Sequence, residues 1–174
     1  MTFTENWYHE NNLAFLASLA ESTNAVDGRV IEVGVWEGRS CIALAGAVRP
    51  SVVHAVDTWA GSPGEISAAL AAERDVYATF LTNVAGKNVE AHRMDWRDYF
   101  AADQTPVRFC HIDATHSYDE VFANVEAVKP LIVAGGILCG DDAHHEPVIS
   151  AARAALGAVE QYANLWIWRP DGNR

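Results

Sequence analysis

The chain is short of basic residues: 12 Lys and Arg stand against 23 Asp and Glu, for a net charge of −11 at pH 7. A nucleic-acid partner needs a basic surface, and no Lys/Arg cluster supplies one. An anionic membrane surface is a poor partner for the same reason. Cysteine is also scarce, and Cys41, Cys110 and Cys139 lie scattered in apolar runs with no CxxC pair. That argues against a disulfide framework or a zinc knuckle and reads as buried, reduced thiols. No apolar run approaches the ~18 residues a membrane span needs. The opening MTFTENWYHEN has no basic or apolar leader region, so a cytoplasmic, reducing setting is expected. Repeats and Pro- or Ser-rich linkers are missing as well. Residues 1–174 are therefore expected to form a single domain.

What is present is enough apolar sequence, 50%, for a proper core. Leu13, Leu16, Ala17 and Ala20 predict a first helix, broken from Asn24 to Gly28. Val30–Val33 predicts a first strand, apolar enough to be buried on both faces. A small-residue helix follows over Ser40–Val48, closed by Pro50. Val52–Val56, Val89–Met94 and Val107–Ile112 predict three more strands. A single helical pattern runs through Leu70, Val76, Phe80, Leu81 and Val84 to Gly86. Tyr118, Val121, Val125 and Val128 mark one face of a helix that Pro130 ends. Gly135 and Gly136 turn into strand Ile137–Cys139, and a helix from about Pro147 to Leu156 follows. Leu165–Trp168 predicts an edge hairpin strand.

Alternating strands and helices predict an α/β fold. It is a Rossmann-like doubly wound sheet, mostly parallel, with an antiparallel C-terminal strand. Asp57, Asp95, Asp113, Asp141 and Asp142 all fall just past predicted strand ends, the edge where such sheets bind ligands. RVIEVGVWEGRS, from Arg29 to Ser40, is the expected ligand turn, because glycines let backbone approach a ligand closely. Glu32 and Glu37 flank that turn, and two carboxylates there would repel pyrophosphate. A cationic ligand suffers no such penalty.

Glu32-x-Gly34-x-x-x-Gly38-x-Ser40, with Asp57 after the second strand, resembles the S-adenosylmethionine site of class I methyltransferases. HIDATHSYDEV (111–121) and GGILCGDDAHH (135–145) resemble the divalent-metal-dependent small-molecule O-methyltransferases of the catechol and macrolide-sugar type. The resemblance implies that Glu32, Glu37, Ser40 and the Gly34–Gly38 backbone hold the methionine part. It implies that Asp57 and Thr58 take the ribose, and that Asp95 and Trp96 flank the adenine. Asp57 and Asp95 also read as turn or capping residues. Asp113 belongs to both the cofactor and the metal set.

Asp113, Asp141 and Asp142 on adjacent strand ends would need compensation if buried, and a divalent cation supplies it. Oxygen ligands favour Mg²⁺, then Mn²⁺ or Ca²⁺. His116, His144 and His145 read as metal ligands, as residues that orient the acceptor or take its proton, or as plain surface histidines. The expected reaction is O-methylation of a hydroxyl on a small molecule or sugar, with Asp113, His116 or His144 as catalytic residues. A homodimer is expected to complete the acceptor side, because the candidate covers, residues 60–73 and the region of Trp7 and Tyr8, are short. The rivals are a dinucleotide oxidoreductase, disfavoured by the missing GxGxxG, another metal-dependent enzyme such as a hydrolase, and a non-catalytic nucleoside-binding module.

Overall fold

A computed structural model describes residues 1–5, 7, 8 and 10–170. The elements run α1 (Glu10–Ser22), β1 (Arg29–Val33), α2 (Arg39–Ala47), β2 (Val53–Asp57), α3 (Ile66–Glu73), α4 (Val76–Val84), β3 (Val89–Arg93) and α5 (Trp96–Ala102). They continue with β4 (Val107–Ile112), α6 (Tyr118–Val128), β5 (Ile132–Gly140), α7 (Glu146–Leu156), β6 (Glu160–Tyr162) and β7 (Leu165–Trp168). One sheet holds all seven strands in the order β3-β2-β1-β4-β5-β7-β6. Strands β1 to β5 pair in parallel, while β7 lies antiparallel to β5 and to β6. The α/β class, the parallel sheet and the antiparallel end are as the sequence predicts. The chain steps outward from β1 to β3, then returns to place β4 on the other side of β1. That switch opens a crevice at the carboxyl ends of β1 and β4.

Both faces of the sheet are covered. Leu16, Leu44, Phe80 and Phe109 form the core under α1, α2 and α4. Tyr99, Val125, Ile149 and Trp166 form the other, under α5, α6 and α7. Arg108 is one of several polar residues buried with this core. It donates to the Thr23 carbonyl, Asn24 Oδ1 and Ser51 Oγ at 2.7, 3.0 and 3.1 Å, which satisfies a charge that burial would otherwise penalise. Cys41, Cys110 and Cys139 are buried free thiols.

The structure corrects the predicted elements in four places. Strand β7, expected at the edge, lies between β5 and the unpredicted edge strand β6. The expected helix through Leu70–Val84 is two helices, because Asp75 caps α4 by accepting from Ala78 N at 2.9 Å. Helix α5 has only seven residues, too few to show a 3.6-residue period. Strand β5 starts at Ile132, ahead of its glycines. Gly135 has φ +77° and the register against β4 shifts there, so the pair marks a bulge inside the strand. Among the described residues, no helix is long and apolar enough to cross a membrane.

Candidate functional site

The turn after β1 is built from backbone. Gly34 has φ +79°, and a Cβ there would lie 2.0 Å from the Asp113 carbonyl oxygen. Only glycine fits so close an approach. Asp57 fastens the same turn: Oδ2 accepts from Val35 N and Trp36 N at 2.8 and 3.0 Å, and Oδ1 from Trp59 N at 2.7 Å. Asp57 thus holds the turn and also lines the cleft. Gly38 begins α2 at φ +87° and packs on Phe80 and Val84. Thr58 and Ser40 line the cleft wall as well.

The two turn glutamates do not present bare charge to the cleft. Glu32 is fully buried and absent from the cleft lining. Its Oε1 lies 3.0 Å from His111 Nδ1, and His111 Nε2 is 3.3 Å from the Tyr8 hydroxyl. Burial alone would lower the His111 pKa, but the Glu32 hydrogen bond and charge raise it overall. Glu37 borders the cleft yet accepts from Thr4 N at 2.7 Å and from the Thr4 hydroxyl, and pairs with Arg74 at 3.2 Å. Buried carboxylates need such partners. Glu32 therefore adds no carboxylate to the cleft wall, while Glu37 adds one that is already partnered.

The strand ends supply five of the carboxylates on the cleft wall. Nine carboxylates line the cleft against two arginines, Arg39 and Arg97. Asp113 follows β4, while Asp141 and Asp142 follow β5, with Asp142 in the left-handed region at φ 57°. His116 Nε2 approaches Asp142 Oδ2 at 2.8 Å and Asp113 Oδ1 at 4.0 Å. Glu65 holds the ring from behind, accepting from His116 N at 3.1 Å and meeting Nδ1 at 3.0 Å. Asp113 and Asp142 raise the His116 pKa to about 11, so without a metal its imidazolium is the counter-ion of both carboxylates. Burial, then the Asp113 charge, lifts Asp141 to about 7. Burial also works against ionisation of Asp142, yet His116 and Asn164 keep it below the ordinary carboxylate range.

Donor atoms of Asp113, His116 and Asp142 all lie within 4.8 Å of one another, a set able to hold a metal ion. His116 Nε2 has no aligned hydrogen-bond partner despite its short ion-pair contact, and neither has Asp141 Oδ1. The donor set and these orphaned atoms fit a divalent cation. The structure thus groups two of the three expected ligands with His116, and leaves Asp141 beside them. His144 lies at the cluster's outer edge: its Nδ1 is 3.9 Å from Asp142 Oδ1 and meets Asn164 Oδ1, but its side chain is 71% exposed and does not line the cleft. Asp95 caps α5 by accepting from Arg97 N at 2.8 Å while still facing the cleft beside Trp96.

The whole cleft encloses about 1000 Å³. Phe3, Trp7 and Tyr8 form its N-terminal wall, tied down by the Thr4–Glu37 bonds and a Glu5–Arg74 pair at 2.9 Å. Glu65 and the Tyr8–His111 contact carry no local sequence signal, because each joins residues far apart in the chain. A family model described as a methyltransferase domain matches residues 31–143. No curated protein matches the chain significantly. CalS11, a TDP-rhamnose 3'-O-methyltransferase of calicheamicin biosynthesis, is similar at 21% identity and TM-score 0.67, over 94% of this chain and 81% of that one. The O-methyltransferase NovP aligns at 19% identity and TM-score 0.69, over 90% and 78%. TomG, an O-methyltransferase from Streptomyces achromogenes involved in tomaymycin synthesis and solved with SAM, aligns at 17% and 0.63, over 93% and 81%. At such identities the structures speak for the fold. The family model spans the sheet from β1 to the residue after the paired aspartates, so the chain belongs to the methyltransferase-domain family, built on the class I fold.

Proposed function

We propose that the protein is an S-adenosylmethionine-dependent O-methyltransferase acting on a hydroxyl of a neutral small molecule or sugar, assisted by a divalent cation. The observation that carries this is adjacency. The Gly34 turn touches the Asp113 backbone, so a donor cradle and a metal-ready cluster share one wall. A sulfonium and an ammonium suit a cleft rich in carboxylates, whereas a dinucleotide pyrophosphate does not. NovP and TomG, both O-methyltransferases, and the sugar methyltransferase CalS11 share the fold and support the same reading.

In this reading the Gly34–Gly38 backbone and Ser40 receive the methionine part, Asp57 and Thr58 the ribose, and Asp95 and Trp96 the adenine. Asp113 and Asp142, with His116, hold the cation, and Asp141 lies within reach. An imidazole among the donors moves the preference from Mg²⁺ towards Mn²⁺ or Zn²⁺. Bound there, the cation would lower the pKa of the acceptor hydroxyl. Glu65 keeps the His116 ring oriented, as carboxylates behind metal-binding imidazoles do. In this reading Asp113 or a nearby histidine takes the acceptor's proton. The N-terminal wall of Trp7 and Tyr8 excludes water from the donor. A second copy closing the open side belongs to the proposal; a fully active monomer in sedimentation would remove that part.

Calorimetric titration tests the donor assignment. Saturable binding of S-adenosylmethionine without binding of NAD is the expected result. Binding of NAD alone would replace this reading with the oxidoreductase one.

A further inference from the structure

Away from the cleft, the outer strands bring two histidines and a carboxylate together. In the β2–β3 ladder His54 stands opposite Glu90 and Val56 opposite His92. Alternate residues of a strand share a face, so His54, Glu90 and His92 project from the same side. His54 Nδ1 lies 3.0 Å from His92 Nε2, with the rings stacked at 5.3 Å. Glu90 oxygens lie 3.9 Å from the first nitrogen and 3.6 Å from the second. Donor atoms of all three fall within 4.8 Å of one another.

We propose that His54, Glu90 and His92 form a second metal site, for a borderline divalent ion of the Zn²⁺ type. Ligands about 2.0–2.2 Å from a tetrahedral ion sit roughly 3.3–3.6 Å apart around it, so a few tenths of an ångström of opening gives the two nitrogens the spacing of neighbouring ligands. Imidazole selects Zn²⁺, Co²⁺, Ni²⁺ and Cu²⁺ over Mg²⁺ or Ca²⁺. The histidine side chains are 13% and 18% exposed, while Glu90 is 59% exposed. The imidazoles are thus held by packing, and the carboxylate side is open for entry and for water ligands. The His92 ring packs on Tyr99 at 4.8 Å between centroids. Arg29 is a cation that bears on the cluster, and its guanidinium is bound to Asp103 and the Tyr99 hydroxyl. An ion here joins edge strand β3 to β2, just before Met94, Asp95 and Trp96 enter the cleft wall. It therefore acts as a structural clamp, independent of whether the cleft methylates anything.

The test uses the full chain, stripped with chelator, held in excess Mg²⁺ and titrated with Co²⁺. The expected result is a visible d–d absorption in which one equivalent disappears in His54→Gln and in His92→Gln, weakens in Glu90→Gln, and persists in His116→Gln. Zn²⁺ should raise the Tm of the unaltered protein by several degrees, and His92→Gln should lose most of that rise. Circular dichroism checks that the variants fold. In the unaltered protein, substoichiometric Cu²⁺ should broaden the imidazole resonances of His54 and His92 before those of other histidines. Retention of the full Co²⁺ signal in both histidine variants overturns the proposal. Broadening that spares His54 and His92 does the same, and leaves the pair as a plain hydrogen bond.

Discussion

Asp113 carries more of the proposed chemistry than any other side chain. It ends the central strand β4, touches the Gly34 turn through its carbonyl and faces His116 through its carboxylate. Asp113→Asn should abolish methyl transfer while changing S-adenosylmethionine affinity little, read by calorimetry beside the activity assay. Equal loss of both would place Asp113 in donor binding instead. Gly34→Ala tests the turn itself. Its methyl would sit 2.0 Å from a backbone oxygen at a left-handed φ, and forcing a carbon into a packed contact costs about 1–3 kcal/mol. Denaturant unfolding should show a loss of that order together with loss of donor binding. Unchanged stability would mean that the turn relaxes freely. At this scale the sequence shows which residues carry charge and hides where the charge goes. Glu32 and Glu37 read as ligand contacts from their spacing, but their partners His111, Thr4 and Arg74 lie far away in the chain. His116 and the aspartates were legible as a group, whereas Glu65 behind them was not.

At the scale of elements, the long strands and helices follow from apolar pattern, and β4 occupies the predicted residues 107–112. Short or interrupted elements escape, as α5, β6 and the α3–α4 break show. Helix α5 is tied to β1 by the Arg29–Asp103 pair, which gives a pH prediction. Hydrogen bonds from Thr105 hold the Asp103 carboxyl below the ordinary carboxylate range against the opposing effect of burial, and the Arg29 charge adds a lesser lowering. A depressed folded pKa means that the unfolded chain binds the proton first on acidification. This contribution is therefore full above about pH 4 and is lost as pH falls through the folded value. Asp103→Asn should be less stable than the unaltered protein at pH 7, and the gap should close below about pH 4. A gap constant with pH in denaturant titrations would show that the ion pair contributes nothing through titration.

Across the whole molecule, the strand order places every acid-tipped strand end along one rim, and the N-terminal residues close one side of it. The rim was legible from five aspartates following four predicted strands, with Asp141 and Asp142 sharing one strand end. The N-terminal wall was legible only as a candidate cover, since its anchors Glu37, Asn83 and Arg74 are distant in the chain. The central claim is that this rim holds a cationic methyl donor beside a divalent ion and passes the methyl to oxygen. Tritium transfer from labelled S-adenosylmethionine to a panel of hydroxylated acceptors, with EDTA and with Mn²⁺ or Mg²⁺ restored, tests it most directly. The account predicts label in an acceptor ether, suppressed by EDTA and recovered with the cation. Donor binding with no label in any acceptor under either condition, or transfer indifferent to EDTA, would contradict it.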